Sequence, residues 1–427
     1  MSEKIIYINA DQWEEKILKG KNVIVDFYST ECPPCEALAS KFEGLSDIYG
    51  DDVLFVKIFR QENRGLSESL DVTGSPTVLF YQNGQQVGDK LSGGIKRADI
   101  EKNLDALVGE EKASVLKEKI VPHSTDCDVL IIGGGPSGLT AGIYTAQAKL
   151  NTVIVDTSLP GGQVTTTHLV SNYPGFDKPI EGFMLMHYMS EQAKNAGAHF
   201  RSAVDVTSIN LDKKEVIIDG IETIKAEKII LATGASYREL GVPGEKKYKG
   251  NGISYCATCD AKYFDNKHVI VIGGGNSAIE ESLFITKFAH RVTIVHQFDT
   301  LQANKIAQEK AFANDKIDFI FEHEPRAFIK NEDGTMTVEV EDLKSGSKKK
   351  MEADGVFIFA GMKPNTEQFE GKLKYDQWGY VEVDNEMHTS LKDVFAAGDL
   401  RGKMYRQITT AVADGTVAAI SVAKEME

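Results

Sequence analysis

Cysteine and tryptophan are scarce in this sequence, and long apolar runs are missing from it. Its 427 residues include only five cysteines and two tryptophans. So few cysteines cannot form the disulfide framework that supports small secreted domains. No apolar run approaches the roughly 20 residues that span a bilayer, and the charged N-terminus lacks the apolar core of a signal peptide. We therefore expect a cytoplasmic protein without a membrane segment.

Positive charge is also in deficit. Lysine and arginine number 48 against 63 aspartate and glutamate residues, which gives a net charge of −15. This balance argues against a general affinity for nucleic acid and favours solubility. With 42% hydrophobic and 26% charged residues, the composition is that of a globular protein with an ample core. The length predicts two to four domains.

Four of the five cysteines form two CxxC pairs, Cys32–Cys35 and Cys256–Cys259. In a reducing compartment such pairs are catalytic dithiols or metal ligands. Each pair can close and reopen a disulfide, and Asp260 beside the second pair can take or give the proton that the exchange needs. A four-cysteine zinc site is the alternative, but a nucleophilic CxxC at a helix start explains each pair separately. The fifth cysteine, Cys127, is predicted to be a small apolar residue of a core strand.

Residues 1–108 are predicted to form a small α/β domain. The apolar run 22–28 predicts a buried strand, and the first CxxC pair opens a helix whose dipole lowers the pKa of a thiol at its start. Asn83-Gly84 indicates a hairpin between two further strands. Asp26 on the buried strand, the CxPC motif and Ser75-Pro76-Thr77 together resemble thioredoxin over its whole length.

The resemblance to thioredoxin implies roles for four residues. Cys32 would be the attacking thiolate and Cys35 the resolving thiol, with Asp26 as the buried proton acceptor and Pro76 as the cis-proline facing the disulfide. The sequence departs from the family pattern at Glu31, which replaces a tryptophan, and at Pro33, which replaces a glycine. An acid beside the nucleophile should raise the pKa of that thiol and oppose the helix dipole. The polar stretch 109–124 is predicted to be a linker that contains the domain boundary.

Two glycine-rich loops of one design follow the linker. Residues 127–132 predict a strand, 133–138 read GGGPSG, and a helix and a second strand follow. That second strand ends in Asp156, 23 residues after Gly133. A GxGxxG loop in this context predicts an adenine dinucleotide site, with the pyrophosphate at the helix N-terminus and the acid at the ribose. The pattern recurs as GGGNSA at 273–278.

From Cys127 onward the chain resembles the low-molecular-weight thioredoxin reductases, in motif order over roughly 300 residues. The matching motifs are GGGPSG at 133–138, GGQ at 161–163, LATG at 231–234, CATCD at 256–260, GGGNSA at 273–278, VFAAGD at 394–399 and YRQ at 405–407. The resemblance implies an FAD site formed by Gly133, Gly135, Gly138, Asp156, Gln163, Thr233, Gly234, Asp399, Arg406 and Gln407. A second nucleotide loop would use Gly273, Gly275 and Ala278.

The expected fold class is therefore α/β: a thioredoxin fold followed by two Rossmann-like dinucleotide-binding domains, one inserted in the other. The FAD-binding domain would comprise 125–240 and 366–427, and the inserted domain 241–365 would carry the dithiol. By the resemblance, Cys259 is the flavin-side thiol, Cys256 attacks the disulfide of the fused domain, and Asp260 is the acid–base. Clients would be protein disulfides such as those of thioredoxins or peroxiredoxins, and a homodimer is expected.

The electron donor is the point at which the sequence departs most from the family. An NADP-type site would read His-Arg-Arg-x-x-x-Arg after the second nucleotide strand, whereas this chain has HQFDTLQ at 296–302. Without the three arginines a 2′-phosphate of about two charges should bind poorly. NADH or a ferredoxin-type protein is therefore expected ahead of NADPH. His296 itself is predicted to be a surface histidine at a strand end.

Other interpretations stay open at this point. The closest is a peroxiredoxin reductase resembling the flavin subunit of alkyl hydroperoxide reductase, which has two tandem thioredoxin-fold units where 1–108 has room for one. A flavin-binding redox sensor or scaffold, and an oxidase that passes electrons from dithiols to oxygen, are further alternatives. His168 and His187 lie near the motifs without a partner that the sequence identifies. The lysine run 348–350 is predicted to lie in a solvated hairpin turn.

Overall fold

The computed structural model describes residues 4–30, 32–167, 169–170 and 172–427. It divides into two compact units: 1–162 with 186–234 and 366–427, and 163–185 with 235–365. Helices and strands alternate along both, so the expected α/β class is observed. Among the described residues, no helix is both long enough and apolar enough to cross a bilayer.

The first unit begins with a five-stranded sheet in the order β1-β3-β2-β4-β5. Strands β1, β3 and β2 are parallel to one another, and β4 is antiparallel to both of its neighbours, β2 and β5. Strand β2 is apolar on both faces because each face packs against its own core. Ile24 points to one with Phe42, while Val25 and Phe27 point to the other with Trp13. The elements are β1 Ile5–Tyr7, β2 Asn22–Tyr28, α1 Pro33–Tyr49, β3 Leu54–Phe59, α2 Arg64–Ser69, β4 Thr77–Gln82, β5 Gln85–Ser92, α3 Arg97–Val108 and α4 Glu110–Lys117.

Helix α4 lies in the stretch 109–124 for which a linker is expected. It follows α3 directly after Gly109, whose φ of +88° turns the chain. Ala113 and Leu116 are buried, and Leu116 joins the core that also contains Phe42. This segment therefore extends the body of the five-stranded sheet.

A seven-stranded sheet forms the remainder of the first unit. Six of its strands follow the order β8-β7-β6-β11-β10-β9, and the seventh, near the C-terminus, pairs with β11 outside this path. Neighbouring strands from β8 to β11 are parallel, whereas β10 is antiparallel to both β11 and β9. Parallel strands connected through helices are buried on both faces, which explains the continuous apolar runs of β6, β7 and β11. The elements are β6 His123–Ile132, α5 Pro136–Gln147, β7 Thr152–Asp156, α6 Gly182–Ala196, β8 His199–Ser202, β9 Val206–Asn210, β10 Glu215–Ile218 and β11 Glu222–Leu231.

The second unit contains a parallel five-stranded sheet in the order β13-β20-β14-β15-β16, an antiparallel sheet β17-β18-β19 and the pair β12-β21. Its elements are β12 Ala235–Tyr237, α7 Glu245–Tyr248, β13 Ile253–Ser254, α8 Ala257–Asp260, β14 His268–Ile272, α9 Asn276–Ile285, β15 Arg291–Val295, α10 Lys305–Phe312, β16 Ile317–Ile320, β17 His323–Lys330, β18 Met336–Asp342, β19 Lys348–Ala353, β20 Gly355–Ile358 and β21 Met362–Pro364. The predicted turn at 348–350 is wrong: these lysines begin β19, where they pair with β18, and the turn precedes them.

The chain then returns to the seven-stranded sheet, where β22 Val394–Ala396 pairs in parallel with β11. Helix α11 Ile408–Glu425 packs against α5 at a close approach. A Cβ at Gly415 would lie 2.2 Å from the carbonyl oxygen of Ser137, so only glycine fits there. Short helical turns occur at Ala10–Gln12, Glu14–Leu18, Gly162–Thr166, Ala261–Phe264, Glu367–Phe369 and Gly398–Leu400.

Candidate redox site

The first dithiol sits at the start of α1. Cys32 is the N-cap residue in extended conformation, and Pro33 occupies the first helical turn, where its missing N–H is not needed. Cys32 and Cys35 form a disulfide with an S–S distance of 2.11 Å, and the backbone N–H of Cys35 donates to Cys32 Sγ over 3.3 Å. Cys35 is buried and Cys32 half-buried. When this pair is reduced, the amide and the helix dipole stabilise a Cys32 thiolate.

Asp26 lies on β2 and is completely buried. Burial raises the pKa of this carboxyl to about 6, although the Lys57 ammonium 3.2 Å away acts to lower it. Lys57 also lies over the rings of Tyr28 and Phe42, at 5.4 and 5.5 Å from their centres. A carboxyl that titrates near neutral pH can exchange protons under physiological conditions.

Pro76 follows a cis peptide bond after Ser75. The carbonyl oxygen of Ser75 lies 3.5 Å from Cys32 Sγ, so this loop borders the half-buried sulfur. Ser29 donates to the Ser75 hydroxyl over 2.7 Å, and Arg60 Nε donates to the same oxygen over 3.0 Å. Glu31, the predicted departure beside the nucleophile, lies outside the described residues, as does His168.

The second dithiol has the same local design in the second unit. Cys256 is the extended N-cap of the short helix α8, and its disulfide to Cys259 has an S–S distance of 2.08 Å and a Cα–Cα distance of 5.4 Å. Both cysteines are half-buried, and Thr258 between them is exposed. The pair is thus accessible at the beginning of a helix, as the first pair is.

Ser254 connects Asp260 to this dithiol, a contact that the sequence did not indicate. Its hydroxyl donates to Asp260 Oδ2 over 2.6 Å and accepts the backbone N–H of Cys256 over 3.1 Å. Ser254 is buried on β13, which pairs with β20 and fixes the position of the hydroxyl. The carboxylate and the dithiol backbone are therefore joined through one side chain.

Glu245 is a second residue that sequence reasoning missed. Its side chain is buried and accepts hydrogen bonds from the backbone of Leu240 and Gly241 at 2.9 and 2.8 Å, and from the hydroxyl of Tyr255 at 2.7 Å. Tyr255 stacks on Tyr237 with 4.9 Å between ring centres. Because Tyr255 directly precedes Cys256, this network orients the strand that leads into the dithiol.

The first glycine-rich loop forms an open cradle at the N-terminus of α5. A Cβ at Gly138 would lie 1.8 Å from the carbonyl of Gly133, so the helix and strand meet there without a side chain. At Gly135, in contrast, no atom of the described residues lies within 4 Å of an added Cβ. Asp156 Oδ2 accepts the N–H of Gly134 over 2.6 Å. The open space and the free helix start fit the pyrophosphate of an adenine dinucleotide.

Four further residues expected at the FAD site lie just after β11 and in two of the short helical turns. Gly234 follows Thr233 after β11 with φ +68°. Asp399 forms an ion pair with Lys403 at 3.0 Å. In the second unit, Gln163 Nε2 donates to the carbonyl of Ala235.

Two more of the expected FAD-site residues precede α11. The guanidinium of Arg406 lies 4.0 Å from the centre of the Tyr380 ring. Gln407 is the N-cap of α11.

The second glycine-rich loop repeats the geometry at the start of α9. Gly273 has φ +135°, Ala278 is buried, and a Cβ at Gly275 would meet no atom of the described residues within 4 Å. The prediction that His296 lies at the surface is wrong. It is 5% exposed, because its ring packs on Gly274, where an added Cβ would lie 2.5 Å from three ring atoms.

Two family profiles match the chain. The profile described as pyridine nucleotide-disulphide oxidoreductase matches residues 127–415. The chain belongs to this family. The thioredoxin profile matches residues 4–106, so a thioredoxin domain precedes the oxidoreductase region.

Similar proteins agree with this assignment. A Clostridium pasteurianum protein described as the 34.2 kDa protein in the rubredoxin operon is 44% identical over 298 residues, which are 70% of this chain and 96% of that protein. Thioredoxin reductase of Bacillus subtilis is 42% identical over 302 residues, 70% and 95% of the two chains. A solved thioredoxin reductase from Streptococcus pyogenes has 40% identity and a TM-score of 0.65, covering 71% of this chain and 99% of that one.

The predicted family and fold are therefore confirmed. The chain is a thioredoxin-reductase-like flavoprotein oxidoreductase with a thioredoxin domain before it. The family binds FAD, and the open cradle at Gly135 fits that cofactor. Among the described residues, no group of three or more His, Cys, Asp or Glu side chains could hold a metal ion. Burial raises the pKa of the remaining thiol, Cys127, to about 12, which favours its neutral form, as expected for a small apolar residue of a core strand.

The segment 296–302 follows β15 beside the second glycine-rich loop, because the ring of His296 packs on Gly274. Burial lowers the pKa of His296, so its imidazole is neutral at pH 7 and supplies no charge for a phosphate. Gln302, where the family pattern has an arginine, donates its backbone N–H to Gly274 over 2.8 Å. The nearby cation Lys344 is paired with Glu322 at 2.7 Å.

Proposed function

We propose that this protein transfers electrons from a donor, through bound FAD, to Cys256 and Cys259, then to Cys32 and Cys35, and finally to disulfides of client proteins. The observation that supports this order most directly is the presence of two CxxC pairs, each at a helix start and each able to form its own disulfide, in one chain. FAD, when bound, supplies the two-electron step between the donor and the first disulfide.

Once two electrons have arrived from the donor through FAD, the thiol exchange itself uses only groups of this chain. Two electrons and two protons convert the Cys256–Cys259 disulfide into thiols. The Cys256 thiolate then attacks Cys32 Sγ, so that a Cys256–Cys32 bond forms and the Cys32–Cys35 bond breaks. Attack by Cys259 on Cys256 restores the first disulfide and leaves Cys32 and Cys35 reduced.

Asp260 is proposed as the acid–base of this exchange. The Ser254 hydroxyl holds Asp260 Oδ2 at 2.6 Å and the Cys256 N–H at 3.1 Å, which keeps the carboxyl beside the dithiol. In the other pair, Asp26 is proposed as the proton acceptor of Cys35, because its pKa of about 6 lets it take up a proton near neutral pH. Cys32 would then reduce client disulfides such as those of thioredoxins or peroxiredoxins.

The donor is proposed to be NADH or a ferredoxin-type protein. NADPH is disfavoured because Gln297, Phe298 and Gln302 replace the arginines of the family pattern and His296 is held neutral. NADH remains a candidate because the cradle at Gly275 is open. A protein donor remains a candidate because the acid that would bind the ribose is also missing from position 296.

The test is anaerobic reduction of the flavin. The purified protein is mixed separately with NADPH, NADH and reduced ferredoxin, and the visible flavin absorbance is followed with time. Bleaching by NADH or by ferredoxin supports the proposal, while bleaching by NADPH alone contradicts the donor assignment. Bleaching by none of them, with no reduction of insulin disulfides, would favour a redox sensor or scaffold.

The variant Gly275→Glu separates the two favoured donors. Gly275 has φ −84° and open space around its Cα, so a glutamate fits the backbone. Its carboxylate would occupy the pyrophosphate site and repel a dinucleotide. We expect the variant to lose bleaching by NADH and to retain bleaching by ferredoxin. The same chain is proposed to be a homodimer, which sedimentation of the purified protein would test. It is also proposed to be cytoplasmic, which fractionation of cells would test.

A further inference from the structure

Lys41 is a buried lysine on α1 that the thiol chemistry does not use. It is 7% exposed, and its ammonium donates three hydrogen bonds to backbone carbonyls. One acceptor, Ile95 at 3.0 Å, belongs to the thioredoxin domain. The other two belong to the seven-stranded sheet: Ser202 at 2.9 Å is the last residue of β8, and Ala203 at 2.7 Å follows it. All three protons of the ammonium are therefore satisfied, two of them by the neighbouring domain.

The acceptor side is shaped for this contact. Ala203 is completely buried and has φ +53°, a left-handed conformation that is uncommon for a residue with a Cβ. Its N–H is donated to the carbonyl of Ser158 over 2.9 Å, which fixes the turn. Burial lowers the pKa of Lys41 to about 8, although the carboxylates of Asp219, Asp205 and Asp99 oppose that shift and Lys96 adds to it. Lys41 thus stays charged at neutral pH, held by the carbonyls.

Two partly exposed ion pairs join the same two domains as the buried lysine does. Lys96 of the thioredoxin domain binds Asp205 at 2.6 Å, and Glu36 binds Lys194 of α6 at 2.7 Å. Gly94, two residues before Lys96, lies against Leu159, where an added Cβ would approach to 3.2 Å. A desolvated centre within a polar rim is the usual anatomy of a specific protein interface.

Residues of this contact lie next to the first dithiol in the chain and in its bordering loop. Glu36 directly follows Cys35 on α1. On the other side, the N–H of Gly93 lies 3.4 Å from the carbonyl of Pro76, in the loop that borders Cys32 Sγ. A protein that approaches Cys32 over Glu36 or Gly93 would meet the seven-stranded sheet, whereas a small disulfide needs only the half-buried sulfur.

We propose that the seven-stranded sheet carries a docking site for the protein's own thioredoxin domain, and that the hydrogen bonds of Lys41 hold the domain there. Protein clients are then reduced when the thioredoxin domain has dissociated from this site. The docking itself is independent of the proposed electron route. Only its effect on clients rests on the proposed chemistry of Cys32 and Cys35.

Hydrogen exchange of the full-length protein tests the docking. In Lys41→Met the carbonyls of Ser202 and Ala203 lose their donor. We therefore expect several-fold faster amide exchange in both 199–206 and 92–97. Lys102→Met is the matched control, because Lys102 is an exposed lysine that pairs with Asp89 inside the thioredoxin domain. Unchanged exchange in Lys41→Met would refute the role of Lys41.

A charge swap guards against a folding defect in Lys41→Met. Asp205→Lys places two ammonium groups together at the rim and should increase exchange in the same two segments. Adding Lys96→Glu restores an opposite pair and should return exchange to the wild-type level. Failure of this rescue would show that the contact does not hold the domain.

The effect on clients is measured in a Cys256→Ser/Cys259→Ser background, so that only Cys32 and Cys35 carry electrons. The protein is reduced with dithiothreitol, desalted and mixed in single turnover with insulin or with a small aromatic disulfide. We expect Lys41→Met to react several-fold faster with insulin and at an unchanged rate with the small disulfide. Equal effects on both would overturn the covering of the client surface. If neither disulfide reacts with the parent protein, the proposed thiol chemistry fails, while the exchange data still decide the docking.

Discussion

Asp26 is a single residue whose environment sets a measurable pH dependence. Its pKa is raised from 3.8 to about 6 in the fold, mainly by burial. Between these values the native state binds more protons than the unfolded state, so the free energy of unfolding falls as pH rises from about 4 to about 6. A tenfold change in an acid dissociation constant corresponds to about 1.4 kcal/mol, so the fall in the free energy of unfolding amounts to at most about 3 kcal/mol.

Asp26→Asn should remove this dependence. We expect the free energy of unfolding of the variant, relative to the wild type, to increase by up to about 3 kcal/mol between pH 4 and pH 7. Exchange of the β2 amides, compared between the two proteins at each pH, measures that difference. Asp89→Asn is the control, since Asp89 is an exposed carboxylate. A difference that is the same at both pH values would contradict the prediction.

Ser254 carries a second prediction for a single residue. Ser254→Ala removes both the hydrogen bond to Asp260 and the acceptor for the Cys256 N–H. Because general acid–base catalysis contributes about 10²–10⁴-fold, we expect kcat for disulfide reduction to fall about tenfold or more in the variant. The pH profile of kcat should shift as well, with KM for the client unchanged.

The control for Ser254→Ala is another buried hydroxyl of the same unit. Ser282 donates to the carbonyl of Ala278 over 2.6 Å within α9. Ser282→Ala should leave the pH profile in place. If both variants shift the profile equally, Ser254 acts only through stability.

At the scale of elements, the loop 296–302 after β15 is the segment that we propose discriminates against a phosphorylated dinucleotide. Restoring the family pattern with Gln297→Arg, Phe298→Arg and Gln302→Arg puts three cations on exposed positions of this loop. A hydrogen bond to a charged group contributes about 1.5–3 kcal/mol, so each contact that forms should strengthen NADPH binding about tenfold or more.

Flavin bleaching by NADPH at several concentrations measures the gain from the three arginines. Adding Gly275→Glu to the triple variant should abolish it, because the cradle would then be blocked. If the triple variant still ignores NADPH, the loop is not the ribose end of a nucleotide site.

Local patterns predicted the elements that carry the chemistry. Spacing of cysteines and glycines places Cys32 and Cys256 at helix starts and Gly135 and Gly275 at open cradles, because each of these features depends on a few consecutive residues. The contacts that sequence reasoning missed join residues that are distant in the chain or carry no motif. Lys41 binds carbonyls 161 and 162 positions away.

His296 shows the same limit at shorter range. A histidine at the end of an apolar strand reads as a solvent-facing residue. Its burial follows from the missing side chain of Gly274, which lets the ring lie on the loop. No pattern in either segment alone contains that contact.

At the scale of the whole molecule, the proposed electron transfer to the fused domain predicts a distinctive kinetic behaviour. A tethered thioredoxin domain would meet the reductase dithiol at an effective concentration of roughly millimolar, so its reduction should not depend on protein concentration. We expect turnover of insulin per molecule of wild-type protein to stay constant on dilution, with the donor that bleaches the flavin in excess.

Complementing variants make this prediction discriminating. A chain with Cys32→Ser/Cys35→Ser retains only the reductase dithiol, and a chain with Cys256→Ser/Cys259→Ser retains only the thioredoxin dithiol. Each alone should lack insulin turnover, and a mixture should recover it at a rate per molecule that falls in proportion to dilution, because transfer is then bimolecular. A mixture that equals the wild type at every concentration would mean that the tether contributes nothing to transfer. A wild-type rate that itself falls on dilution would mean that electrons leave Cys256 for a thioredoxin domain on another molecule.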